Sequence, residues 1–248
     1  MWPLAREHRK PLAAVLGFAL FALFTAWWFS DPPARVGPRP NATGRVVILC
    51  HGHGAPKRDL VPLARRLQVA APDVTFLMPG APHREVLGRA WYPSFTAKSQ
   101  AAVDAKLLED RAQARRVIVR LIDELLAKGV PASSIYVGGF SEGATVALDV
   151  VVNSEVGAEV GGLIWLSGGG PAVELEVLRG RKRLSAFISH GLRDSVVGSG
   201  RSLALARLLR DAGHDVVFRP FDGDHEVRPI AASLGRFLAE RAPGSPPG

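Results

Sequence analysis

Three residues of this 248-residue chain, Ser141, Asp194 and His225, have the types and the order that acyl transfer needs. A serine hydroxyl attacks a carbonyl only when a base removes its proton, and the base needs a carboxylate to fix its tautomer and offset its charge. Ser141 lies in "IYVGGFSEGATVALDVVV", residues 135–152. That stretch reads as a β-branched strand, a Gly-x-Ser-x-Gly corner (Gly139, Ser141, Gly143) and an apolar helix. A strand would carry the serine to the carboxyl edge of a sheet, small neighbours would let the backbone crowd there, and the helix would offer unpaired N–H groups. The pentapeptide alone is weak, because glycine-rich corners produce it by chance. Two later positions add weight. Asp194 follows the strand candidate "SAFISHG", and His225 follows "DVVFRPF", so nucleophile, acid and base each fall just beyond a strand, in the order of an α/β-hydrolase.

Other titratable residues fit chemistry less well. Asp222 and Asp224 are too near His225 in sequence to reach its far nitrogen and are expected to shape its turn. His190 ends its own strand and reads as a hydrogen-bonded core histidine. His214, after Gly213, reads as solvated, and His83 as a loop residue. The first strand ends in "CHGHGAP", whose glycine-rich loop can aim the backbone N–H of His53 at a substrate carbonyl oxygen. The N–H of Glu142, next to the serine, would be the second oxyanion donor. His51 and His53 have the look of a metal pair but lack a nearby third ligand, so no metal and no organic cofactor is expected.

The elements that would position these groups alternate from Arg45 onward. Apolar strand candidates are 46–50, 74–78, 135–138, 162–166, 186–189 and 216–219. Helical patterns cover 60–68, 101–127, 144–153, 202–212 and 230–241. Continuous apolar strand runs imply a sheet covered on both faces. The expected fold is therefore α/β, a mostly parallel doubly wound sheet with helices on both faces, over residues 45–241. Residues 242–248 read as a frayed tail, and 31–44, rich in Pro and Gly, as a linker.

Residues 1–30 are of a different kind. Arg6, Arg9 and Lys10 precede a stretch without charge from Pro11 to Ser30, long enough for a membrane-spanning helix and closed by Trp27, Trp28 and Phe29. A cleaved signal peptide is the competing reading, disfavoured by the length of the stretch and the lack of an Ala-x-Ala-like site. The expectation is an uncleaved single-pass anchor with the domain outside the cytoplasm. The net charge of +8 comes from 31 basic against 23 acidic residues. The basic residues are scattered and unaccompanied by a basic-aromatic motif, which argues against a nucleic-acid partner. The single cysteine, Cys50, ends an apolar run and reads as a core thiol.

From about Val46 to Leu238 the chain resembles the phospholipase/carboxylesterase family, whose members include the acyl-protein thioesterases. "LCHGHG" matches its oxyanion loop, "RAWYPS" its substrate loop, "IYVGGFSEGATVAL" its elbow, "SHGLRDSVV" its acid loop and "DGDHEV" its histidine loop. The resemblance implies an α/β-hydrolase fold with Ser141 as nucleophile, Asp194 as orienting acid, His225 as base, and His53 and Glu142 as oxyanion donors. It implies a serine hydrolase acting on small or lipid-like carboxylic esters or thioesters through an acyl-enzyme. Trp91, Tyr92 and Phe95 would line the substrate site, or else close the core as a loop aromatic cluster. The chain departs from the family in carrying Glu142 where Gln is usual, and in lacking an Asp after the aromatic pair. A peptidase of the same fold, or an inactive membrane-tethered binding module, would be the rival functions.

Overall fold

The computed structural model describes residues 32–92, 100–170 and 175–241. Its centre is a seven-stranded sheet formed by β1 (Ala34–Val36), β2 (Arg45–Cys50), β3 (Val74–Met78), β6 (Ile135–Phe140), β7 (Gly162–Leu166), β8 (Ser185–Ser189) and β9 (Asp215–Phe218). The spatial order is β1-β3-β2-β6-β7-β8-β9. Every pairing is parallel except that of β1, which runs antiparallel to β3 with Arg35 opposite Leu77. A separate two-residue hairpin joins β4 (His83–Arg84) to β5 (Arg89–Ala90). The edge strand β1 uses Ala34–Val36, within the stretch that its Pro and Gly content made look like a linker.

Six described helices connect or follow the strands: α1 (Val61–Ala70), α2 (Gln100–Ala127), α3 (Glu142–Asn153), α4 (Leu175–Arg179), α5 (Gly200–Asp211) and α6 (Ala231–Glu240). Residues of β2, β3, β6 and β7 are buried at every position but Phe140, as continuous apolar strands require when both faces are covered. One core lies between the sheet and α2, α3 and α5, with Ile118, Ile122, Val146, Val150 and Leu209 at its centre. The other lies beneath α1 and α6, where Leu67, Phe76, Phe187, Leu234 and Phe237 meet. Phe237 packs edge-on to Tyr136, with ring centroids 6.3 Å apart, so the last helix is stapled to the central strand.

The pairing registers bring the functional edge together. Cys50 is opposite Gly139, Phe140 opposite Leu166, and Leu166 opposite Ser189. The carboxyl ends of four adjacent strands are thereby level, and the residue after each one emerges at the same edge.

The expected membrane-spanning helix is not part of this fold. Among the described residues no helix is long and apolar enough to cross a membrane, and residues 1–31, where that helix was expected, lie outside them. The longest described helix, α2, carries Lys106, Glu109, Asp110, Arg111, Arg115 and Arg116 within about three turns. The fold is therefore corrected to an α/β-hydrolase-like mixed sheet without a spanning helix among its described elements. The single-pass anchoring and the placement outside the cytoplasm that rested on that helix are withdrawn with it.

His214, expected at the surface, is buried instead, its Nε2 3.1 Å from the carbonyl oxygen of Leu178. Burial pushes its imidazole below the ordinary value, the Leu178 carbonyl opposes this, and Arg183 adds to the depression. The unfolded chain therefore binds more protons than the folded one between the ordinary imidazole value of about 6.5 and the lower folded one. Stability rises with pH across that window and is lost as pH falls through it. Urea midpoints measured from about pH 7.5 down to about pH 5 are expected to fall, and to fall less steeply in His214→Gln.

Candidate active site

Ser141 sits between β6 and α3 with φ 56° and ψ −120°, a conformation rare for a residue bearing a Cβ. Such a backbone costs about 1–3 kcal/mol and persists only where its surroundings over-determine it. Here they do. The Ser141 N–H donates to Leu166 O at 2.9 Å, and its carbonyl accepts the first helical bonds from Ala144 and Thr145. The flanking glycines are required by contact: a Cβ at Gly139 would lie 2.5 Å from the Cys50 carbonyl oxygen, and one at Gly143 2.2 Å from it. The Gly-x-Ser-x-Gly pattern thus records how closely the end of β2 passes beneath the corner.

Asp194 and His225 meet across two loops. Asp194 Oδ2 is 2.7 Å from His225 Nδ1, and its carboxylate has no exposed surface. Its other oxygen, Oδ1, accepts the backbone N–H groups of Val196 and Val197 at 2.9 and 2.7 Å. Burial alone would push the Asp194 carboxyl up; the Val197 N–H, His225 and the Val196 N–H together outweigh it and hold the group below its ordinary value. The two loops are zipped by Leu192 N–H to Phe221 O (2.8 Å) and Arg193 N–H to Gly223 O (2.9 Å). Asp224 completes the closure by accepting the N–H and hydroxyl of Ser195 and the N–H of His225. Those bonds hold its carboxyl down, and they give it the turn-shaping place that the sequence suggested. The His225 ring lies 4.6 Å from that of Phe140, the residue before Ser141. Serine corner and histidine loop are neighbours by that stacking.

The loop after β2 borders the same point, for a Cβ on Gly52 would be 3.6 Å from the Ser141 Cβ. His51 is buried beneath this loop: its Nδ1 is 2.8 Å from Gly52 O and its Nε2 accepts the Ala81 N–H at 3.2 Å. Both nitrogens are occupied, so His51 braces the loop. Burial depresses its basicity, with the Gly52 carbonyl and Asp59 opposing and Arg89 reinforcing. His53, further out, is 46 % exposed in its side chain and places Nδ1 3.3 Å from Glu142 Oε1.

Glu142 does more than its backbone position suggested. Its carboxylate also accepts the N–H of Trp91 at 2.9 Å and of Tyr92 at 3.2 Å. One side chain therefore ties the elbow, the glycine-rich loop and the aromatic loop together. The Trp91 ring is fully buried, and its indole N–H donates to His51 O at 2.9 Å. Trp91 closes the core at this corner, whereas Tyr92 is partly buried; Phe95 falls outside the described residues. His83 stands 3.8 Å from the buried Asp110 carboxylate. Sequence reasoning overlooked the carboxylate role of Glu142, and its one signal was the unusual acid at a position next to the nucleophile.

Comparison with known proteins places the chain. A sequence model of the phospholipase/carboxylesterase family matches residues 34–231. The acyl-protein thioesterase 1 of Eremothecium gossypii is 28 % identical over 182 residues, covering 71 % of this chain and 77 % of the relative. That of Cryptococcus neoformans is 25 % identical over 173 residues, covering 66 % and 71 %. Among solved structures, esterase PE8 superposes with a TM-score of 0.69 at 24 % identity, over 84 % of this chain and 98 % of its own. A Bacillus cereus carboxylesterase does so with a TM-score of 0.65 at 18 % identity, over 87 % and 98 %. At those identities the structures speak for the fold, and the family match speaks for the rest. The match takes in most of the chain, from the edge strand β1 to the start of α6, so this protein belongs to the phospholipase/carboxylesterase family and is a hydrolase of the esterase and thioesterase class.

Proposed function

We propose that this enzyme cleaves carboxylic esters or thioesters through an acyl-enzyme on Ser141. The observation that carries the reading is the 2.7 Å pairing of the buried Asp194 carboxylate with the partly exposed His225, beside a serine held at φ 56°. With the His225 Nδ1–H directed at Asp194, Nε2 is the nitrogen left to act as base. It takes the Ser141 proton as Oγ bonds to the substrate carbonyl carbon, and the carbonyl π electrons move onto oxygen. The N–H groups of His53 and Glu142 hold that oxyanion. Collapse expels the alcohol or thiol, protonated by His225, and a water activated by the same ring releases the acid. No metal or organic cofactor enters any step. Relatives named as acyl-protein thioesterases favour including thioesters beside oxygen esters.

The test is labelling of the full-length protein with a fluorophosphonate probe, alongside turnover of p-nitrophenyl acetate. Ser141→Ala is expected to abolish labelling and Asp194→Asn to lower kcat by roughly 10⁴-fold. Labelling or full turnover surviving in folded Ser141→Ala would sink the assignment.

The Glu142 carboxylate supports a second expectation. Glu142→Ala keeps the backbone donor but leaves the Trp91 and Tyr92 N–H groups without their acceptor, so kcat/KM should fall by about tenfold and Tm should drop. Glu142→Gln, which keeps an amide oxygen to accept from one of them, should fall between. Equal activity in all three proteins would show that the aromatic loop is held by other contacts.

A further inference from the structure

Behind Asp194 stands a second histidine that the hydrolytic steps do not use. His190 follows β8 directly and is fully buried. Its Nε2 is 3.1 Å from Asp194 Oδ2, the same oxygen that His225 approaches, and 2.8 Å from the Val197 carbonyl oxygen. Its Nδ1 is 2.5 Å from the hydroxyl of Ser202, on α5. Ser202 is also fully buried and accepts the indole N–H of Trp165, from β7, at 2.7 Å.

Donor and acceptor chemistry fixes the direction of this chain. An indole nitrogen only donates, so the Ser202 oxygen accepts from Trp165, and in a neutral ring protonated on Nε2 the remaining nitrogen, Nδ1, accepts the Ser202 proton. Nε2 faces two oxygens that cannot donate, so it carries the ring proton. The Val197 peptide is consequently held at both ends, its N–H by Asp194 Oδ1 and its carbonyl by His190. Asp194 accepts three hydrogen bonds, two from backbone N–H groups on Oδ1 and one from the His225 imidazole on Oδ2, while His190 Nε2, bonded to the Val197 carbonyl, stands 3.1 Å from that same Oδ2.

We propose that His190 is a positioning residue for the hydrolytic reaction: oriented by Ser202 and Trp165, its Nε2–H fixes the carbonyl of Val197, whose N–H holds Asp194 Oδ1, and stands 3.1 Å from Asp194 Oδ2, where its positive end offsets part of the negative charge that this oxygen presents to His225. The inference rests on the triad reading above. Without His190, Oδ2 would carry more of its charge to His225 alone, favouring the imidazolium, while the carboxylate would lose one of its restraints. Neighbouring charges are few and otherwise engaged. Asp224 bonds Ser195, Arg193 pairs with Asp222 at 2.7 Å, Glu142 on α3 holds the aromatic loop, Arg201 on α5 bonds the Gly170 carbonyl, and the Arg219 guanidinium, after β9, bonds the Phe218 carbonyl.

The test is the pH dependence of kcat and kcat/KM for p-nitrophenyl acetate in the full chain, with His190→Leu, His190→Gln, Ser202→Ala and Asp194→Asn beside the parent. His190→Leu is expected to move the acid limb of kcat/KM upward by about one pH unit and to lower kcat by about tenfold, with KM nearly unchanged. His190→Gln, whose amide N–H can replace the donor, should restore the limb. Ser202→Ala, which unpins the ring without touching Asp194, should move it the same way by less, and decides the matter if His190→Leu does not fold. An unmoved limb in folded His190→Leu or, failing that, in Ser202→Ala overturns the proposal, as does a limb moved downward. If Asp194→Asn is inactive while the His190 and Ser202 variants match the parent, this inference alone fails. If Asp194→Asn keeps full activity, the triad reading fails and takes this inference with it.

Discussion

The Cys50 carbonyl is the point on which the site is built. It ends β2, opposite Gly139 in the register, and passes so close under the corner that neither Gly139 nor Gly143 has room for a Cβ. That contact fixes the height of Ser141 against β2, and the bond from Ser141 N–H to Leu166 O fixes it against β7. The loop carrying Gly52 and His53 leaves β2 one residue later, so the serine and the glycine-rich loop share one reference frame. Burial pushes the Cys50 thiol far up and keeps it out of the chemistry. The strain at Ser141 is sustained because relieving it would pull apart three strands at their buried ends.

Around that frame the loops are joined mainly by side-chain oxygens accepting backbone N–H groups. Glu142 gathers Trp91 and Tyr92, Asp224 gathers Ser195 and His225, and Asp194 gathers Val196 and Val197. Loops cannot pair their backbone in ladders as strands do, and a buried unpaired N–H is costly. A carboxylate, with two oxygens that accept several donors each, is an economical cross-link between segments distant in sequence. This explains why acidic residues crowd this edge although one alone faces the base.

Much of this was legible before any coordinates. The strands over 74–78 and 162–166 and the chain order of Ser141, Asp194 and His225 follow from apolar runs and corner chemistry, because both depend on residues near one another in sequence. Elements that depend on distant partners were not legible. Ala34–Val36 is too short and too close to prolines to read as a strand, and it is one only because β3 offers an open edge. His214 follows a helix-ending glycine, a surface signal, yet finds the Leu178 carbonyl beneath another helix. The span expected over residues 11–30 rested on length and composition alone, and those residues lie outside the described ones. The roles of Glu142 and His190 lie in contacts spanning 51 residues to Trp91 and 12 to Ser202, which no local pattern encodes.

The saturation of Asp194 also bears on which group carries the proton during turnover. A carboxylate that accepts three hydrogen bonds, with a further imidazole 3.1 Å from one oxygen, has its charge stabilised from several sides, and its proton affinity is correspondingly low. In the proposed mechanism the proton on His225 Nδ1 therefore stays on the ring when Nε2 gains a second one, and Asp194 acts as a fixed negative charge. Fixity matters more here than strength. A carboxylate with fewer donors would attract the imidazolium more strongly, holding the proton that must pass to the leaving group, and would also be free to turn. With two of its three bonds made to groups other than His225, the acid is kept oriented and its pull moderate, which suits the proposed cycle, in which the ring both takes and returns a proton.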